Sequence, residues 1–283
     1  MASYRFCRPD DIPRLVRAVN DCAPVVDQNT DQWSDETFKK YINQLDLWPG
    51  YCSLAVNDQH SACVLLSCKR PGKIQLLELR TNPDSLRRGH AAHLVTSLKD
   101  KVSIVAPDSY IEAIVPTHRS DLMGLFGALD FFLEGESLFD FECTHFNFST
   151  ISTEIVVQAE IDELAENFEF KKCLNWEREL KSLISTKKEI KVLAVAGIEG
   201  YMAYLAYKMT PDGKIAIVSM GQLDQPVKTI FYAMLVNKLI KDIGESIVIP
   251  KITETEVPYT VLKELGFEKT TEYIQFLCPS KIH

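Results

Sequence analysis

The sequence predicts an α+β fold built twice, each half a mostly antiparallel sheet flanked by helices, and three observations carry that expectation. Strand-like and helix-like hydrophobic segments alternate along the chain. Their order in the first half returns in the second, roughly 140 residues later. Each half also closes with a helix that ends in an aromatic step, Ala128-Leu129-Asp130-Phe131 and Glu264-Leu265-Gly266-Phe267.

Taken in order, residues 4–8 read as a strand, after which Asp10 or Asp11 is placed to cap a helix. Ile12, Leu15, Val16 and Val19 form the apolar stripe of that helix. Residues 54–56 and 62–67, joined by the polar turn 57–60, read as a hairpin, and Pro71-Gly72-Lys73-Ile74 opens a further strand. Residues 110–115 are a fifth strand, 116–131 a helix, and 138–148 a closing strand. The second half repeats the series. A strand at 154–157 precedes a helix bearing Ile161, Leu164, Ala165 and Phe168, then strands follow at 193–195, 202–207 and 214–220, with a last one at 273–277. Two domains of like topology are therefore expected, at residues 1–150 and 154–283, with the polar segment 149–153 between them.

Composition narrows the function classes. Of 283 residues, 46% are hydrophobic and 25% charged, which suits a folded soluble chain. A formal net charge of −8 opposes approach to phosphate backbones, so nucleic acid is not the expected partner. The eight cysteines contain no Cys-x-x-Cys pair and lie largely in apolar runs, which points to buried free thiols in a reducing compartment and to no metal site. No apolar run is long enough to span a membrane, and Met1-Ala2-Ser3-Tyr4-Arg5 is not the start of a secretory signal. A cytoplasmic location is expected.

Residues 76–95 carry the chemistry. The segment reads as a strand, a tight turn containing Asn82-Pro83-Asp84, and a helix whose Leu94, Val95 and Leu98 face inward. The helix opens with Arg87-Arg88-Gly89-His90-Ala91. Small residues at Gly89 and Ala91 let an anion approach the backbone. The first-turn N–H groups have no intrahelical partner, and the helix dipole favours negative charge there. Arg87 and Arg88 add cationic reach, so a diphosphate suits the position.

This stretch resembles the acetyl-CoA signature of the GNAT N-acetyltransferase superfamily, Gln/Arg-x-x-Gly-x-Gly/Ala after a strand and a proline, with Leu86 in the first position of the pattern. The order of elements over residues 1–150 fits the same family, and that over 154–283 more weakly. The Leu-Leu-Glu-Leu-Arg run before Pro83 is also similar to histidine N-acetyltransferase-like proteins, which are likewise two-lobed. The resemblance implies that the backbone of Arg87, Arg88, Gly89, His90 and Ala91 holds the CoA pyrophosphate. It implies main-chain contacts to the acetyl group and pantetheine from Leu79, Arg80 and Thr81, and a second CoA-contacting segment containing Ser120 and Phe126. The corresponding turn of the second half, Gly221-Gln222-Leu223-Asp224-Gln225-Pro226, has no arginine pair and places a proline where a donor is useful, so that copy is expected not to bind CoA.

Acetyl transfer to an amine by direct attack needs a base for the amine, a donor for the oxyanion and stabilisation of the thiolate. Glu78, Glu112 and His118 are the candidate bases. Gln75 stands where some family members place theirs, and strand alternation predicts that Gln75 and Glu78 point to opposite faces. The thiolate-protonating tyrosine of the family aligns with Phe126, leaving Tyr110 or water for that role. Asp27, Asp31, Trp33, Asp35, Glu36, Tyr41 and Trp48 suit a cationic or heteroaromatic acceptor. The expected function is transfer of acetyl from acetyl-CoA to the amine of a small molecule or amino acid. A protein N-acetyltransferase and a non-catalytic CoA-binding protein are the alternatives.

Overall fold

The computed structural model describes residues 2–22, 34–36, 38–39, 42, 49–56, 60–168, 170, 174–210, 212–223, 227–244 and 246–280. The fold is mixed α+β with a mostly antiparallel arrangement of strands. Its residues group into two compact units, Met1–Gly135 with Ile274–His283, and Glu136–Tyr273.

In the first unit, β1 (Ser3–Phe6) leads through a 3-10 turn into α1 (Ile12–Asp21). The expected stripe buries Leu15, Val16 and Val19 together with Ala18. Asp11 does not cap this helix as expected. Its carboxylate turns back to accept the Arg8 N–H at 2.8 Å and both terminal nitrogens of Arg5 at 2.7 Å, and no side-chain bond caps α1. A guanidinium offering two parallel donors outcompetes a single amide for that carboxylate.

Strands β2 (Ser53–Val56), β3 (Ser61–Arg70), β4 (Lys73–Thr81) and β5 (Tyr110–Pro116) follow, in the order β1-β2-β3-β4-β5. Helix α2 (His90–Val105) connects β4 to β5, which pair in parallel as such a crossover requires. It lays Leu94, Val95, Leu98 and Val102 on Leu65, Ile74 and Leu76. Val64 and Leu66 alternate with Leu65 and are buried on the other face, where α1 packs against β3. Helix α3 is Ser120–Ala128, shorter than the expected 116–131. Pro116 still belongs to β5 and residues 117–118 form a turn, and Asp130 takes a left-handed φ of 61° that stops further helix. The short β6 (Phe132–Leu133) follows.

The second unit begins with β7 (Leu138–Cys143), and β8 (Val156–Ala159), α4 (Ile161–Asn167), α5 (Leu180–Ser185), β9 (Lys191–Ala196), β10 (Tyr201–Met209), β11 (Ile215–Gln222), α6 (Thr229–Asp242), β12 (Ile247–Ile252), α7 (Tyr259–Leu265) and β13 (Phe267–Pro279) come after it. One face of its sheet packs Leu205, Tyr207 and Ile217 under α6, and the other packs Tyr204, Ala206, Ala216 and Val218 under α4 and α5. The expected junction at 149–153 lies inside this unit rather than between units. The reason is strand pairing: β7 pairs with β12 and with residues 267–273 of β13, whereas Phe276 and Leu277 of β13 pair with β6 in the first unit. The first half of the sequence thus sends β7 to the second unit, and the second half sends the end of β13, from Ile274 on, to the first.

Candidate functional site

β4 is irregular in a way that positions chemistry. Leu66 pairs with Glu78 and Ser67 with Leu76, so Leu77 is an extra residue, a β-bulge. Gln75 lies opposite Cys68 and Glu78 opposite Leu66, two positions that share one face of β3. The expectation that Gln75 and Glu78 face opposite ways is therefore overturned: the inserted residue resets the alternation.

A second irregularity lies along the other edge of β4. Its parallel ladder with β5 runs from Lys73–Tyr110 to Leu76–Ala113 and stops, while β4 continues to Thr81 and β5 to Pro116. The two strands splay toward their C-terminal ends. The main chain of Leu79, Arg80 and Thr81 lies beyond the splay point and, among the described residues, is bonded on the β3 side only. Unpaired N–H and C=O groups on such an edge are available to an extended ligand.

The chain leaves β4 at this same end. Asn82 accepts the Asp84 N–H and closes a 3-10 turn, Pro83–Ser85. Arg87 and Gly89 both take left-handed φ values, 58° and 80°. A Cβ added at Gly89 meets nothing within 4 Å, so glycine serves the conformation there and leaves open space over the backbone. The first intrahelical bond runs from His93 N–H to the Gly89 carbonyl, so the N–H groups of His90 and Ala91 have no acceptor in the helix. Alternating left-handed residues turn successive N–H groups into an anion-binding concavity. Arg87 and Arg88 are exposed and, among the described residues, pair with no carboxylate.

His90 is buried at 8% exposure, and its Nδ1 lies 2.8 Å from the Tyr4 hydroxyl. Nothing in the sequence signals this contact, which needs β1 to lie beside the start of α2. Thr81 turns its hydroxyl to the Cys63 sulfur at 3.3 Å.

The three candidate bases have different surroundings. Glu78 lies at the bulge, its Oε2 2.5 Å from Nε of Arg80. Glu112 is buried on β5 and held by three contacts: Lys73 Nζ donates to both oxygens at 3.0 and 2.9 Å, and Gln275 Nε2 donates to one at 2.8 Å. His118 is exposed in the turn after β5. Lys73 and Gln275 are invisible to sequence reasoning, because one depends on the β4–β5 register and the other comes from the last strand. Ser120 is exposed at the start of α3, whereas Phe126 is 1% exposed and stacks between Phe131 and Phe276. The ring is part of the core under α3, which accounts for an aromatic at that position without a cofactor. Tyr110 pairs with Lys73 at the far end of β5 from the splay, which removes it as a thiolate donor. Of the acceptor-selecting residues, Asp35 and Glu36 are exposed, while Asp27, Asp31, Trp33, Tyr41 and Trp48 lie outside the described residues.

Cys7, Cys22, Cys52, Cys63, Cys68 and Cys278 are buried free thiols, and Cys143 is half-buried. Burial pushes Cys7, Cys22 and Cys52 up to about 12 and Cys63 to about 11, the opposite of what activates a nucleophile. Cys173 lies outside the described residues.

The second unit repeats the backbone device without the side chains. β10 and β11 shift register between Ala206 and Tyr207, so Val218 is the bulged residue. The β11–β12 ladder stops at Ala216–Val248. Counted from the two bulges and ladders, Ser219 occupies the place of Glu78, Ala216 that of Gln75, and Val248 that of Glu112. Residues 224–226, in the turn beyond β11, lie outside the described residues.

No family model matches the sequence, and no curated protein matches it. Solved structures do match over the whole chain. A GCN5-related N-acetyltransferase from Sphaerobacter thermophilus is 12% identical and superimposes with a TM-score of 0.66, covering 99% of this chain and 96% of that one. A tandem GNAT protein from the clavulanic acid biosynthesis pathway is 10% identical with a TM-score of 0.68, each chain covered in full at 100%. A GCN5-related N-acetyltransferase from Anabaena variabilis is 11% identical with a TM-score of 0.62, covering 99% of this chain and 73% of that one. At these identities the likeness is one of fold: the chain has the GNAT fold.

Proposed function

We propose that this chain is an acetyl-CoA-dependent N-acetyltransferase, acting on the amine of a small molecule or amino acid, with its acetyl-CoA site in the first unit. The observation that carries this reading is the convergence, at the C-terminal end of β4, of the strand splay and the left-handed Arg87–Gly89 loop. One offers an unpaired main-chain edge to an extended chain, the other a cationic cradle of N–H groups to a diphosphate. A thioester carried on a diphosphate-bearing arm fits both together.

In this reading the N–H groups of residues 87–91 and the guanidinium groups of Arg87 and Arg88 hold the pyrophosphate, and the edge formed by Leu79, Arg80 and Thr81 orders the pantetheine arm. Acetyl-CoA supplies the activated acyl group. Glu78, at the root of the splay, is the proposed general base that takes a proton from the acceptor amine as it attacks. Glu112, closed in by Lys73 and Gln275, fixes the β4–β5 root. His118 is left as a peripheral group, and water protonates the departing thiolate. The buried thiols take no part, so no acyl-enzyme forms. Ser219, Ala216 and Val248 at the positions of Glu78, Gln75 and Glu112 support a second unit without acid–base chemistry. Two tandem GNAT domains with one active site follow, with an acidic, soluble, cytoplasmic chain as the setting.

Calorimetric titration of acetyl-CoA into the whole chain, repeated with amino acids and biogenic amines while free thiol is followed, tests the reading. One-site binding with thiol release in the presence of an amine is expected. Binding without release for any amine moves the reading to a protein acceptor or a non-catalytic role, and absence of binding refutes it.

A further inference from the structure

The second unit contains a feature that its missing acid–base side chains do not explain. Arg178 is the largest fully buried side chain among the described residues, with a relative exposure of 2%. It lies in the 3-10 turn Trp176–Arg178 ahead of α5. Its Nη1 donates to the carbonyl of Ile217 on β11 at 3.1 Å and reaches that of Pro250 on β12 at 3.5 Å. Its Nε lies 2.5 Å from Oε2 of Glu256. The other carboxylate oxygen of Glu256 accepts the N–H and hydroxyl of Thr253 at 3.2 and 3.3 Å, so the acid is itself fixed.

β11 and β12 part after Ala216–Val248, and Ile217 and Pro250 lie just beyond that point. In the first unit the parallel ladder has four pairs and runs through Leu76–Ala113, whereas in the second it has two pairs and the corresponding Ile217 and Ile249 are not paired with each other. The guanidinium sits across that opening and binds carbonyls of both strands. We propose that Arg178 is an internal plug of the second unit's strand splay: its guanidinium fills the root of the opening that an extended ligand would enter, and this, with Glu256 as its counter-ion, restricts the chain to one acyl-CoA. A buried guanidinium is tolerable only when its charge and donors are matched. Glu256 matches the charge and the Ile217 and Pro250 carbonyls take Nη1, while the buried Nη2 has no hydrogen-bond partner among the described residues.

The ligand named here rests on the function proposed above, but the plug does not, and hydrogen exchange separates the two. In the whole chain, acetyl-CoA is expected to slow amide exchange in residues 73–92 and to leave 215–222 and 247–252 unchanged. Without acetyl-CoA, the double variant Arg178→Met/Glu256→Gln is expected to exchange 215–222 and 247–252 at least about tenfold faster than the parent. Arg178→Lys keeps a cation beside Glu256 but loses the fork, and a smaller rise in the same two strands is expected if the double variant does not fold. Unchanged exchange in these strands in the variants, or protection of them by acetyl-CoA in the parent, overturns the plug. Protection of neither unit by acetyl-CoA, with faster exchange in the variants, refutes the acetyl-CoA reading and keeps the plug.

Discussion

The hydroxyl of Tyr4 on β1 stands 2.8 Å from Nδ1 of His90, the first residue of α2, and the Tyr4 ring lies on that of His93 with centroids 3.8 Å apart. A residue of the first strand thus fixes the start of the helix whose first turn is proposed to hold the pyrophosphate. His90 is buried, so losing its partner leaves a polar atom unsatisfied, at a cost of about 1–2 kcal/mol. Tyr4→Phe keeps the ring stacking and removes only the hydroxyl. Its melting temperature is expected to fall by roughly 2–4 °C. The affinity for acetyl-CoA is expected to weaken by roughly threefold to tenfold, because the first turn loses its anchor. Unchanged affinity in a calorimetric comparison detaches Tyr4 from the binding loop.

Gly89 offers a sharper test of the loop. Its φ of 80° disfavours any Cβ, yet the space around it is open, so Gly89→Asp is expected to fold with a loss of about 1 kcal/mol. A carboxylate placed where the diphosphate belongs is expected to abolish acetyl-CoA binding. Gly89→Ala, which brings the strain without the charge, is expected to retain most of it. Equal losses in the two variants assign the effect to backbone strain, and no loss in Gly89→Asp removes the loop from the site.

These two residues also mark how far the sequence could be read. Gly89 was legible because a small residue at a helix start lets an anion approach the backbone, and the arginines beside it show their charge without any fold. The α1 stripe and the strand order were legible for the same local reason, since a hydrophobic period records the face that is buried. The bulge at Leu77 was not, because a leucine among leucines carries no mark of being an extra residue in the ladder. With it went the relation of Gln75 to Glu78. The pairing of β13 with β7 and β6 was hidden too, since either closing strand has the pattern to complete either sheet. Nor does the sequence show that Phe126 packs against Phe131 and Phe276 in the core, since those contacts join residues from two ends of the chain.

The Arg5–Asp11 pair makes part of the stability depend on pH. The bidentate Arg5 guanidinium, with the Arg8 N–H, holds the Asp11 carboxyl at about 2 against an ordinary value of 3.8. The folded state therefore binds its proton less readily than the unfolded chain. The stabilisation is fully present above the unfolded value and is lost as pH falls from about 4 through about 2. With Arg5 partly exposed, roughly 1–2 kcal/mol is at stake. Asp11→Asn is expected to lower the urea midpoint at pH 7 and to match the parent near pH 2. A difference that persists at pH 2 indicates lost packing rather than lost charge.

Burial of the cysteines has a direct chemical consequence. Six described thiols are buried and raised by desolvation, so their thiolate fraction at pH 8 is small and their access poor. Ellman's reagent is expected to titrate no more than two of the eight thiols quickly in the native protein, and all eight in urea. Fast native reaction of Cys52 or Cys63, located by mass spectrometry, contradicts the packing of β2 and β3 on which the β4 bulge rests.

The role of Glu78 separates catalysis from binding. Its carboxylate sits at the bulge beside Arg80, where β4 begins to part from β5. If it accepts the proton of the attacking amine, Glu78→Gln keeps the shape of the strand and removes the base. The expected result is a fall in kcat of about 10²- to 10⁴-fold with acetyl-CoA affinity unchanged. The variant is expected to recover rate as pH rises and the free amine becomes abundant, since an already neutral nucleophile needs less help. A structural role predicts otherwise: losing the Arg80 partner would loosen β4, weaken acetyl-CoA and raise KM at every pH. Glu112→Gln is the informative contrast. Leaving the half-buried Lys73 without its counter-ion is expected to lower stability by roughly 2 kcal/mol, while kcat in the folded fraction stays near that of the parent. A pH-dependent loss of kcat in Glu112→Gln with stability intact would transfer the base from the bulge of β4 to the middle of β5.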